Sequence, residues 1–194
     1  MSSPIGVSNQ VQDIDFIEAY YRQSKHCLEV RKNWILEEMG KNDPTFSLTD
    51  MGLETMRGAT PNQIRDYFDT LIEELENLVK LALLSSAEGH IRYDFANRIN
   101  NNDQHPLTKQ FSALLVASKF GAGGVKLPRI LDAWIKQDPR NTSTINVFGD
   151  ILELRHWLAH GRWWNLKPGL PPYAVSDIYH IVDGVLRVMG LIKP

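Results

Sequence analysis

Apolar residues recur at helical spacing from Asp13 to Met39, at Ile14, Ile17, Tyr21, Leu28, Trp34 and Ile35, and Gly40 follows where a helix stops. The pattern predicts one long helix there. Lys41 to Pro61 carries Asn42-Asp43-Pro44, Gly52 and Gly58, the composition of a turn-rich connection with room for one short helical turn. Thr60-Pro61 reads as an N-cap followed by proline at the first helical position, and Ile64, Phe68, Leu71, Leu75, Leu78 and Leu81 or Ala82 continue an apolar stripe. This second helix is expected to reach about Ser86, to bend at Gly89, and to continue through Ile91, Phe95 and Ile99 to the polar break Asn100 to Gln104.

Further helices are predicted from Pro106 to Phe120, ending at the flexible run Gly121-Ala122-Gly123-Gly124, and from Pro128 to Gln137. Ser143 or Thr144 is placed to cap a helix with Val147, Ile151, Leu154 and Leu158 on its apolar face and Gly161 as its stop. After a rigid Pro168 to Pro172 loop, Ala174 to Leu191 closes the chain as a helix with Ile178, Ile181, Val182, Val185 and Val188 inward. No strand-like alternation and no internal repeat interrupts this series. The predicted fold is all-α, a bundle of about six to seven helices, with a long helix and linker over residues 1–58 and the bundle over 59–194, together one compact domain.

With 194 residues the chain is long enough to bury a core without staples or metals. A net charge of -2 argues against a general nucleic-acid scaffold and leaves room for a local basic site. No apolar run approaches the roughly 20 residues of a membrane span, so no membrane partner is expected. The single cysteine, Cys27, has no internal disulfide partner and reads as a buried free thiol, and Met1 to Gln10 shows no secretory leader pattern, which points to the cytoplasm.

Candidate chemistry concentrates in Arg155-His156-Trp157-Leu158-Ala159-His160-Gly161. At about 100° per residue, Arg155 and His160 stand about 140° apart and straddle the strip of Leu152, His156 and Ala159, so they can flank one groove. Arg155, Arg162 and Lys167 make the locality positive, with no acid between Glu153 and Asp177. Arginine and histidine at one rim suit RNA cleavage: guanidinium grips a phosphate with two parallel hydrogen bonds, and neutral imidazole takes a 2′-hydroxyl proton. That reaction needs no metal and no cofactor. Trp157, Trp163 and Trp164 offer flat faces for unpaired bases.

Arg155 followed by a polar residue, with His160 preceded by alanine and followed by glycine near the end of the penultimate helix, resembles the HEPN superfamily signature. The resemblance covers the chain from Pro61 on; the helix before Gly40 lies outside it. It implies a metal-independent endoribonuclease, often a toxin or defence component, acting as a homodimer whose two motif copies face each other across a cleft, with an antitoxin or regulatory protein as partner. It further implies that Arg155 holds the scissile phosphate, His160 acts as general base or acid, and His156 orients or assists. Family members often carry a charged residue on an earlier helix that completes the groove, which brings in Glu88 and Arg92, an i,i+4 pair otherwise read as a surface ion pair. Arg162 and Trp163 complete the candidate substrate-binding set. In the branch paired with a nucleotidyltransferase antitoxin a tyrosine usually stands two residues after the histidine; Arg162 stands there instead, which speaks against a tyrosine-modifying partner.

Other readings of the same residues remain. Arg98 and His105, with six residues between them against four in the Arg155 motif, also fit the loose four-to-six spacing of the signature but cross the polar break and Pro106. Glu153, His156 and His160 share one helix face within about 60°, a ligand-like geometry, yet the di-iron pattern needs a second Glu-x-x-His that the chain lacks. His160 is also explicable as a helix-end cap, and Arg155 as the partner of Glu153 or of an acid on a neighbouring helix. A HEPN-like RNA- or protein-binding assembly module without turnover is the main alternative function.

Overall fold

The apolar periodicity folds into six α-helices among the described residues, with no strand; a computed structural model describes residues 5, 11–41, 45–101, 103–161 and 172–192. They are α1 (Ile14–Gly40), α2 (Pro61–Asn101), α3 (Pro106–Val116), α4 (Leu127–Gln137), α5 (Thr142–Ala159) and α6 (Val175–Val188). Short 3-10 turns stand at Glu54–Met56, Ala122–Gly124 and Pro139–Asn141. By contact the chain groups into two units, residues 16–79 and residues 1–15 with 80–194, so the division falls inside α1 and α2. No described helix is long and apolar enough to cross a membrane.

In the unit of residues 16–79, Ile35, Leu48, Leu53, Ile64 and Phe68 form a buried cluster flanked by Leu28, Leu36, Met39, Phe46 and Met56. α2 starts as its sequence dictates: the Gln63 amide donates to Thr60 Oγ1 at 3.4 Å while Gln63 Oε1 accepts from the Thr60 amide at 2.8 Å, a reciprocal cap. Lys25 reaches Glu76 at 3.0 Å and Lys32 reaches Asp69 at 2.8 Å. Leu78, expected inside, is 65% exposed, and Val79 is buried in its place. Eleven residues make three near-integral turns, so position 79 repeats the direction of Phe68, whereas 78 lies about 80° away. Cys27, expected to be buried, is exposed.

The other unit packs α3 on α4, α4 on α5 and α5 on α6. Its core holds Leu83, Leu84, Ile91, Phe95, Leu107, Phe111, Ile130, Ile145, Phe148, Ile151, Ile178, Val182 and Val185, with the Phe95 and Phe111 rings 4.9 Å apart. The segment before α1 lies against α2: Ser86 Oγ donates to the Gln12 carbonyl, and a Cβ on Gly89 would meet Val11 Cγ1 at 3.3 Å. α2 runs through Gly89 without a break, and the missing side chain there admits Val11.

Helix ends differ from expectation at α3 and α5. α3 stops at Val116, four residues short of Phe120, because Ser118 Oγ takes over the turn, accepting the Phe120 amide at 3.4 Å and donating to the Gly121 carbonyl at 2.8 Å. The glycine run then closes as a 3-10 turn instead of a featureless connection. α5 begins at Thr142 after the Pro139–Asn141 turn, and neither Ser143 nor Thr144 caps it. Its inward residues are Ile145, Phe148, Ile151 and Leu154, while Val147 is 41% exposed. Steps of three walk around the helix by about 60° each, so α5 is buried on two sides, toward α4 and toward α6.

Candidate functional site

Arg155 lies seven residues after Phe148 and four after Ile151, on a line of α5 that faces inward, and its guanidinium meets an acid from another helix. Arg155 Nη2 stands 3.2 Å from Glu88 Oε2 on α2. Glu88 Oε1 accepts from Arg92 Nε at 2.7 Å, and Arg92 Nη1 donates to the Val125 carbonyl at 3.1 Å. One carboxylate thus sits between two guanidiniums. Glu88 is the most enclosed of the three, with 17% of its side chain exposed against 34% for Arg155 and 35% for Arg92. Arg155 Nε is buried and has no hydrogen-bond partner among the described residues. The Glu88–Arg92 pair thus has Arg155 as a third member, which a reading of it as a surface ion pair leaves out.

His156 and His160 occupy the last turn, and both are exposed. Their rings stand 4.3 Å apart between centroids at 60°. The His160 amide donates to the His156 carbonyl at 3.1 Å, and His160 is the residue after the helix proper. Gly161 follows at φ +79°, the left-handed conformation that lets the chain leave the helix at low cost. The one-turn spacing brings the two imidazoles edge to face, and the glycine ends the helix directly after them.

Of the expected set, the structure gathers Arg155, Glu88 and Arg92 into one ion cluster and His156 with His160 into one ring pair. Arg162, Trp163, Trp164 and Lys167 lie outside the described residues. The two cations and one carboxylate of the cluster retain a net positive charge. Glu153, His156 and His160 do not converge as a three-ligand set; no such group of His, Cys, Asp or Glu occurs among the described residues.

The second arginine-histidine spacing resolves into local structure. Arg98 Nε bonds both Asp94 oxygens at 2.9 and 2.8 Å, and its guanidinium lies over the Trp134 ring at 5.4 Å. His105 Nδ1 accepts from the Leu107 amide at 3.2 Å and caps α3. Burial pushes the Asp94 carboxyl above its ordinary range, against the pull of Arg98. His90, about 160° around α2 from Glu88 and Arg92, is pushed below its ordinary value by burial, opposed by a hydrogen bond to the Gln12 backbone and by the charge of Asp13.

No protein-family model, curated protein or solved structure matches this chain.

Proposed function

We propose that the chain is a metal-independent endoribonuclease of HEPN type, with Arg155 on the scissile phosphate and His160 as general base or acid, assisted by His156. The observation that carries the reading is the conjunction at the end of α5: two exposed imidazoles with rings 4.3 Å apart, next in sequence to an arginine fixed by Glu88. Neutral imidazole removes the 2′-hydroxyl proton, the 2′-oxygen attacks phosphorus, and the P–O5′ bond breaks as the leaving oxygen takes up a proton. The products are a 2′,3′-cyclic phosphate and a 5′-hydroxyl. Arg155 and its neighbour Arg92 offset the charge that builds on the non-bridging oxygens. On the same reading the enzyme acts in the cytoplasm as a homodimer with two α5 ends facing one cleft, serves as a toxin or defence component, and is restrained by an antitoxin or regulatory protein.

One observation favours the alternative of a non-catalytic binding or assembly module: Arg155 is engaged by Glu88, the contact expected of a structural arginine. Cleavage of labelled single-stranded and structured RNA in excess EDTA separates the two. The enzyme leaves cyclic phosphate ends and loses at least a hundredfold in rate on Arg155→Ala or His160→Ala, in line with the loss of a general acid-base group. Equal behaviour of wild type and both folded variants on every RNA moves the assignment to the module.

A further inference from the structure

We infer that the α3–α4 hairpin carries a binding groove for single-stranded RNA, in which Lys119, Lys126, Arg129 and Lys136 follow the phosphates and Phe120 stacks a base. Between Gln104 and Gln137 the sequence holds five lysines and arginines and a single acid, Asp132, in a chain whose net charge is -2. Two cavities of about 360 and 400 Å³ adjoin there and share Leu114 and Arg129. Lys119 and Lys126 line the first, Lys136 and Asp132 the second. All four cations are exposed, and none forms an ion pair among the described residues. Elsewhere Lys25, Lys32, Lys41, Arg92, Arg98, Arg155 and Arg187 each stand against a carboxylate, while Arg31, Arg57, Arg65 and Lys80 form no ion pair among the described residues. Four cations against the single acid Asp132 along the two adjoining cavities match a polyanion, which would release counterions from several phosphates at once.

The aromatic member is presented by construction. Phe120 is 85% exposed, and its turn is closed by the Ser118 hydrogen bonds and by Gly124, where an added Cβ would come within 2.7 Å of Phe120 Cβ. Such a ring beside a basic groove is the arrangement on which unpaired bases stack. The groove also connects to the α5 cluster through contacts already described: Val125 in its wall accepts from Arg92, which bonds Glu88, which holds Arg155. The wall of the groove is thus hydrogen-bonded to the cluster that holds Arg155. The choice of RNA as the polyanion rests on the function proposed above.

The test uses the full chain and a fluorescent 12-nucleotide 2′-O-methyl oligouridylate, which cannot be cut, so binding is read independently of cleavage. Phe120→Ala is expected to weaken binding roughly tenfold. Lys119→Ala/Lys126→Ala/Arg129→Ala is expected to weaken it further and to reduce the slope of log affinity against log salt by about 2, as removal of three single-strand phosphate contacts implies. Because the four side chains are exposed, circular dichroism should leave the fold unchanged. Wild-type affinity in both variants, or no binding by wild type, overturns the groove. So does binding of phosphatidylserine vesicles that these substitutions abolish while RNA binding persists, which would make the surface a membrane contact. Groove binding retained in a His160→Ala chain with wild type unable to cut any RNA would overturn the cleavage reading alone.

Discussion

Glu88 sets the electrostatics of the candidate site, because one half-buried carboxylate is shared by two guanidiniums. Removing it leaves Arg92 and Arg155 facing each other and takes away the only partner that the described residues give Arg155. Glu88→Ala is expected to cost about 1 kcal/mol in denaturant unfolding, the upper end for partly exposed pairs. Unchanged stability would mean that the cluster is held by packing alone. His90 supplies a second test at this scale. It lines a cavity with Asp13, Asp15 and Arg187, and burial holds its imidazole below the ordinary value of 6.5. The unfolded chain therefore takes up the proton first as pH falls. The stability that neutral His90 provides is intact above about pH 6.5 and is lost as pH drops through the lowered folded value. Melting at pH 7.5 and 5.5 should show a smaller drop for His90→Gln than for wild type, and an equal drop in both would remove His90 from the account.

For α5, the C-terminal turn decides where the imidazoles lie. Gly161 holds φ +79°, so Gly161→Ala is expected to cost about 1 kcal/mol and to reduce RNA cleavage, with Gly161→Asn milder because asparagine tolerates that conformation. A stable Gly161→Ala protein with full cleavage would show that the turn does not position His160. Inside helices the argument reverses. A Cβ at Gly149 of α5 would meet Leu131 Cδ1 at 3.9 Å, and one at Gly184 of α6 would meet Thr144 Cγ2 at 3.8 Å, both ordinary contacts. Each glycine to alanine change is expected to stabilise by roughly 0.5–1 kcal/mol, through helix propensity and reduced unfolded-state freedom. Destabilisation by either would indicate that these helices pack more closely than the contacts allow.

At the scale of the molecule, each contact unit has its own buried aromatics, Phe68 in residues 16–79 and Phe111 in the other. Phe68→Ala and Phe111→Ala are each expected to cost about 3–5 kcal/mol, since both side chains are fully enclosed. Hydrogen exchange should place the first loss of protection around residues 28–71 for Phe68→Ala and in α3 and α4 for Phe111→Ala. Uniform loss across the chain in both variants would mean that the units open as one.

Helix existence was legible in the sequence because helix formation is governed by neighbours within a few residues: the 3.6-residue stripe, the Thr60–Gln63 cap, the proline starts and the glycine stops at Gly40 and Gly161 all act locally. The pairing of Glu88 with Arg92 was legible for the same reason, since it follows from i,i+4 geometry; the edge-to-face contact of His156 with His160 has the same spacing but was not anticipated. Burial was harder to read. Val147 and Leu78 fit an idealised stripe, yet α5 is enclosed on two sides and α2 keeps the direction of Phe68 at Val79, and neither follows from one helix alone. Only the tertiary structure brought Arg155 to Glu88, 67 positions away, turned Arg98 and His105 into an ion pair and a cap, and left Lys119, Lys126, Arg129 and Lys136 without an ion pair among the described residues. Those outcomes depend on which helix faces come together, and packing between segments distant in sequence decides that.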